Sequence, residues 1–103
     1  MSVLTDLTIF PTDRGESVSE YVSRVIDMIR NSGYPYKLSP MGTVFETDTM
    51  PEALDIIEKA YRVLEPYANR IYATVKFDIR KNKSNRIEQK IKSIEEKIGE
   101  VSK

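Results

Sequence analysis

Residues 71–80, IYATVKFDIR, alternate without a break. Ile71, Ala73, Val75, Phe77 and Ile79 are apolar, while Tyr72, Thr74, Lys76, Asp78 and Arg80 are polar or amphipathic. Successive side chains of a strand point to opposite faces, so this pattern predicts a long strand with one face on a core and the other left open. Such a strand needs partner strands and a layer of helix over one side only. The rest of the chain has to supply both.

Residues 3–10, VLTDLTIF, alternate too. Val3, Thr5, Leu7 and Ile9 take one face, and Leu4, Asp6, Thr8 and Phe10 the other, which predicts a strand ended by Pro11. Asp13-Arg14-Gly15 is turn chemistry. Ser17 and Glu20 have capping-box spacing. Val18, Tyr21, Val22, Val25, Ile26 and Ile29 then repeat at helical intervals, predicting a helix over about 18–32 with Gly33 as its stop. Residues 34–38 read as a short strand, with Pro35 marking it as an edge. Ser39-Pro40-Met41-Gly42 breaks it, and residues 43–47 continue as a third strand. Thr49 and Pro51 open a second helix lined by Ala53, Leu54, Ile57, Ala60, Tyr61 and Leu64, ending near Glu65-Pro66. Beyond the strand at 71–80 and a polar turn at 81–85, a third helix over about 85–99 carries Ile87, Ile91, Ile94 and Ile98. That stripe is as narrow as the seam of a helix pair, and it covers either its own domain or a partner subunit.

The order β-α-β-β-α-β is the split βαβ pattern, so the expected fold is α+β, ferredoxin-like, with an additional C-terminal helix. A length of 103 residues suits one domain spanning 1–103. A core this modest predicts self-association as a homodimer or homotetramer. Sixteen basic residues balance sixteen acidic ones. No overall field draws the chain onto nucleic acid or an anionic membrane, although Arg80, Lys81, Lys83, Arg86, Lys90 and Lys92 make a local basic strip. With no cysteine and no histidine, thiol nucleophiles, zinc-thiolate sites and Ser-His-Asp or Cys-His catalysis within the chain are excluded. No apolar stretch has the length of a membrane span and no signal peptide precedes the first strand, so a cytoplasmic protein is expected.

Chemistry is expected on the open sheet face. The first and last strands are neighbours in this topology, so Asp6, Thr8, Lys76 and Asp78 converge there. The third strand adds Thr43 or Glu46, which have opposite parity unless the chain bends near Gly42. One reading is a solvated or salt-bridged face, with Lys76 paired to Asp6, Asp78 or Glu46. The other is a small-molecule pocket whose carboxylates favour a cationic or amine-bearing ligand, with Tyr36, Phe10 and Tyr72 as aromatic walls. Ser17 and Ser19 offer hydroxyls at a helix N-terminus. Nothing has the ligand spacing of a dedicated metal site.

The stretches G15-E-S-V-S-x-Y-V22, Y36-x-L-x-P-M-G-T-x-x-E46 and K76-x-D-x-R80 resemble the thiamine-binding-protein family. The resemblance covers nearly the whole chain, and P-M-G-T with its downstream Glu is its most specific part. It implies a ferredoxin-like domain that assembles into dimers and tetramers. It also implies binding of thiamine or its hydroxymethylpyrimidine portion as a ligand, with no catalytic cofactor and no catalysis. The residues expected at that site are Thr8, Ser17, Ser19, Tyr36, Met41, Thr43, Glu46, Lys76 and Asp78, with Glu46 and Asp78 as the acids that matter most. The alternative function is an oligomeric regulatory or interaction module whose open face is buried against a partner. RNA recognition on this topology needs aromatics on both central strands, and the first strand offers Asp6 and Thr8 instead.

Overall fold

The computed structural model describes residues 1–16 and 18–102. The elements run β1 (Ser2–Pro11), α1 (Ser19–Asn31), β2 (Tyr36–Ser39), β3 (Gly42–Thr47), α2 (Met50–Leu64), a 3-10 turn (Glu65–Tyr67), β4 (Ile71–Arg80) and α3 (Arg86–Ile98). The four strands form one antiparallel sheet in the order β2-β3-β1-β4. It is an α+β arrangement consistent with a ferredoxin-like fold.

Register decides what shares a face. Asp6 stands opposite Val44 on β3 and Lys76 on β4, and Lys37 stands opposite Val44 on β2. One rung of the open face is therefore Lys37, Val44, Asp6, Lys76. The rung below is Glu46, Leu4, Asp78. The other parity of β1 and β3 faces α1 and α2. There Val3, Leu7, Ile9 and Phe45 pack with Val25, Ile29, Ala53, Ile56, Ala60 and Leu64 into the core. The strand-one parity expected from alternation holds. Thr43 and Glu46 fall on opposite faces, as an unbulged strand requires.

Two expectations are corrected, on α2 and on β4. The buried row of α2 is Ala53, Ile56, Ala60 and Leu64, while Leu54 and Tyr61 stay half exposed. Adjacent positions on a helix lie ~100° apart, so a helix with apolar residues on neighbouring stripes has two plausible rotations, and packing selects one. On β4 only Ile71 and Val75 reach the core, and Phe77 and Ile79 are exposed. β4 is the edge strand and outruns the helical layer. Finally, α1 begins after Val18 with no side-chain cap; the cap expected of Ser17 lies outside the described residues. The cap of α2 is complete, since Thr49 Oγ1 accepts from the Glu52 N–H at 3.3 Å while the Glu52 carboxylate accepts from the Thr49 N–H at 2.9 Å.

α3 lies on the open face of its own sheet. Its isoleucine stripe grades outward: Ile87 is buried, Ile91 half-buried, and Ile94 and Ile98 are 50% and 73% exposed. The first turns thus cover their own domain, and the last ones stand away from it.

Candidate ligand-binding site

The docking of α3 determines what remains of the open face. Asn85, its N-cap, sits in the left-handed region at φ 53° and makes no side-chain cap. Glu46 replaces it from across the sheet. Its Oε2 accepts from the Arg86 N–H at 3.0 Å and from Ser2 Oγ at 2.5 Å, and its Oε1 accepts from the Ile87 N–H at 3.3 Å. These are the orphan donors of a helix N-terminus, where a carboxylate is favoured twice, by hydrogen bonding and by the helix dipole. Burial alone would raise the Glu46 carboxyl. The Ser2 hydroxyl, the two N–H groups and the Arg86 charge outweigh it and hold the group below the ordinary carboxylate range. Arg86, only 3% exposed, donates from Nε to Ser2 Oγ at 3.1 Å and lies 3.0 Å from Asp78 Oδ2. Lys90 reaches the same oxygen at 3.0 Å, and together Lys90 and Arg86 hold the Asp78 carboxyl low.

These contacts settle the pairing of the charged rungs. Asp78 pairs with Arg86 and Lys90, not with Lys76 or Arg80. Among the described residues Lys76 has no carboxylate within ion-pair distance. The ion pairs expected for it from strand adjacency do not form, because Asp78 leans under α3.

At the far end of β1 a different space opens. Pairing with β3 stops at Leu7 and Thr43, whereas pairing with β4 continues to Pro11. Residues 8–11 therefore run past β3, and the β2–β3 turn folds beside them. Ser39 Oγ donates to the Gly42 carbonyl at 3.1 Å and accepts from the Met41 N–H at 3.2 Å, while Thr8 Oγ1 donates to the Met41 carbonyl at 2.9 Å. Between this turn, the β1 end and the first half of α1 lies a cavity of about 570 Å³. Its apolar wall includes Ile9, Val22, Val25 and Ile26; Phe10, Met41 and Leu38 line it as well. Thr8, Ser19 and Thr43 bring hydroxyls, and Glu16 is its carboxylate.

The expected site residues therefore divide. Thr8, Ser19, Met41 and Thr43 line this cavity. Lys76 and Asp78 line a separate space beneath α3. Tyr36 lies on the helix side of β2, in the groove against α1, and Glu46 is engaged by the α3 N-terminus. Ser17 lies outside the described residues. Sequence reasoning passed over Glu16, although it sits inside the G-E-S-V-S stretch, and over Ser2 and Arg86, whose partnership with Glu46 spans about the whole chain and has no local signal. Among the described residues no three acidic groups stand close enough to hold a metal ion, and no helix is long and apolar enough to cross a membrane.

A family model described as thiamine-binding protein matches residues 5–95. A UPF0045 protein of Mycobacterium bovis is 34% identical over 92% of this chain and 93% of its own. A UPF0045 protein of Methanocaldococcus jannaschii is also 34% identical, over 91% of this chain and 93% of its own. The crystal structure of a hypothetical protein from that archaeon superposes with a TM-score of 0.82 at 33% identity, covering 92% of this chain and 97% of the other. A Thermotoga maritima protein to which a role in thiamine biosynthesis or salvage is ascribed shares the fold, with a TM-score of 0.79 at 23% identity over 91% of this chain and 99% of its own.

Proposed function

The chain belongs to the thiamine-binding protein family, and from that premise we propose that it binds thiamine or its hydroxymethylpyrimidine portion, without catalysis, in the cavity at the end of β1. One observation carries this reading. Two of the three stretches that resemble the family, 15–22 and 36–46, are far apart in the chain and both line that cavity through Ser19, Met41 and Thr43. Aminopyrimidine presents both donors and acceptors, which hydroxyls can match, and its flat ring suits an apolar wall. The thiazolium cation has Glu16 as its carboxylate. Among the described residues the charged lining of the cavity is this single carboxylate, with no second titratable group beside it to form an acid–base pair, which favours holding a ligand over transforming it.

Calorimetry with thiamine, its phosphates and hydroxymethylpyrimidine tests the reading. Saturable binding of thiamine or hydroxymethylpyrimidine is expected, weakened roughly tenfold by Thr43→Val, which removes a hydroxyl at nearly constant volume. Glu16→Gln should weaken thiamine more than the uncharged pyrimidine. Absence of binding by all of these compounds would overturn the assignment.

Self-association belongs to the same proposal. β4 is a ten-residue edge strand without proline or glycine, with Tyr72, Phe77 and Ile79 exposed. Long, flat edges with apolar side chains pair with other strands unless something guards them. A second copy adding its own β4 would remove both edges, and Ile94 and Ile98 offer further apolar surface. Sedimentation equilibrium at micromolar concentration should return a dimer or tetramer, and a monomer at every concentration would refute it.

A further inference from the structure

The space beneath α3 is separate from the cavity just assigned. It measures about 370 Å³, large enough for a small organic molecule. Leu4 and Val44 form its floor on the sheet, and Ile87 and Ile91 its roof on the helix. Phe77 lines it from β4, and its other lining groups are charged: Asp6, Lys37, Lys76, Asp78 and Lys90. Two of these are already satisfied, because Asp78 and Lys90 pair with each other at 3.0 Å and Arg86 shares the Asp78 oxygen. Lys37 and Lys76 are different. They stand at the two ends of one rung, Lys37, Val44, Asp6, Lys76, and among the described residues neither has a carboxylate within ion-pair distance. Asp6, between them, leans towards the β3 start: its Oδ1 lies 3.0 Å from where a Cβ on Gly42 would stand.

We propose that this slot is a second binding site, for a small molecule with an apolar body and one anionic group. The body fits between the aliphatic floor and roof. The anion meets two ammonium groups that lack partners, on stems long enough to lean over the slot. Lys37, Lys76 and Lys90 outnumber Asp6 and Asp78 in this lining, so a cation of the thiamine type fits it less well than an anion.

Backbone amide NMR of the full chain, titrated with naphthalene-2-carboxylate and separately with its neutral carboxamide, tests this. The carboxylate should shift the amides of Val44, Lys76, Ile87 and Ile91 saturably and bind about tenfold tighter than the carboxamide. Lys76→Met, an exposed substitution that retains the native spectrum, should remove most of that preference, and Lys37→Met should reduce it. The amides of Ser19 and Thr43 should stay in place, which keeps the result independent of thiamine binding. Equal affinity for acid and amide, indifference to both lysine variants, or shifts confined to the Thr43 cavity would each overturn the proposal.

Discussion

Glu46→Ala is expected to release α3 from the sheet at a cost of about 1.5–3 kcal/mol, the range for losing a buried charged acceptor and leaving its donors unmade. Glu46 is 7% exposed and the partners of its carboxylate belong to the helix start or to Ser2. Its removal leaves the Arg86 and Ile87 N–H groups unsatisfied and takes a neighbouring charge from a guanidinium that is itself 3% exposed. Chemical denaturation should report the loss, and hydrogen exchange should locate it in α3, with protection of the α1 and α2 cores lowered only through the global term. Glu46→Gln should fall between the two, since it retains one acceptor and turns a donor towards other donors. A variant with unchanged stability and unchanged α3 protection would show that the helix is held by Ile87 and Ile91 alone.

The same carboxylate sets a pH dependence. In the folded chain Glu46 titrates below its ordinary value, so the unfolded state binds more protons in the interval between the two pKa values. Its contribution is complete above the unfolded value of about 4.3 and is lost as pH falls through the folded one. Stability should therefore decline on acidification below about pH 5, and the decline should be shallower in Glu46→Gln. A residual slope is expected from Glu52, held low by Thr49 and Tyr34, and from Asp78.

Glu46 also marks how far sequence reasoning reaches. Period-two alternation was enough to find β1 and β4 and to separate their faces, but not to show that Phe77 and Ile79 outrun the helical layer. The stretch ending in Glu46 singled out this carboxylate, while strand parity left open whether it or Thr43 reached the open face. It could not reveal that a helix forty residues later would take both oxygens. That pairing depends on α3 folding back over the open face, and the isoleucine stripe is equally compatible with a partner subunit. Thr8, Met41 and Thr43 lie on β1 and on the adjoining hairpin, so their meeting follows from strand neighbourhood, although the sequence grouped Thr8 with Asp6, Lys76 and Asp78 instead. Lys76 and Asp78 were placed on the right face, but their rungs fall under α3, away from the cavity that Ser19, Met41 and Thr43 line.

Gly42→Ala should be the most damaging small substitution at the cavity. Its backbone is not in the left-handed region, so the requirement for glycine is one of space. A Cβ there would lie 2.7 Å from Thr8 Oγ1, 3.0 Å from Asp6 Oδ1 and 3.2 Å from the Leu7 carbonyl oxygen. The carbonyl belongs to the sheet and cannot retreat. The Thr8 hydroxyl is short and already held by the Met41 carbonyl. Relief requires β3 to part from β1 at its first residue, at a cost of about 1–3 kcal/mol as in other overpacked sites. The β2–β3 turn moves with it, carrying Met41 and Thr43, so ligand affinity should fall further than in Thr43→Val. Gly33→Ala is the control: its φ of +85° makes the change strained, but nothing lies within 4 Å, and it is remote from the turn. It should lower stability and leave affinity unchanged. Thr8→Ala removes the nearest clashing atom, so the double variant with Gly42→Ala should recover part of the lost stability, a coupling read directly from a double-mutant cycle. Strict additivity of the two changes, or a Gly42→Ala protein with the parent's unfolding midpoint and affinity, would mean that β1 and β3 do not approach this closely at the mouth of the site.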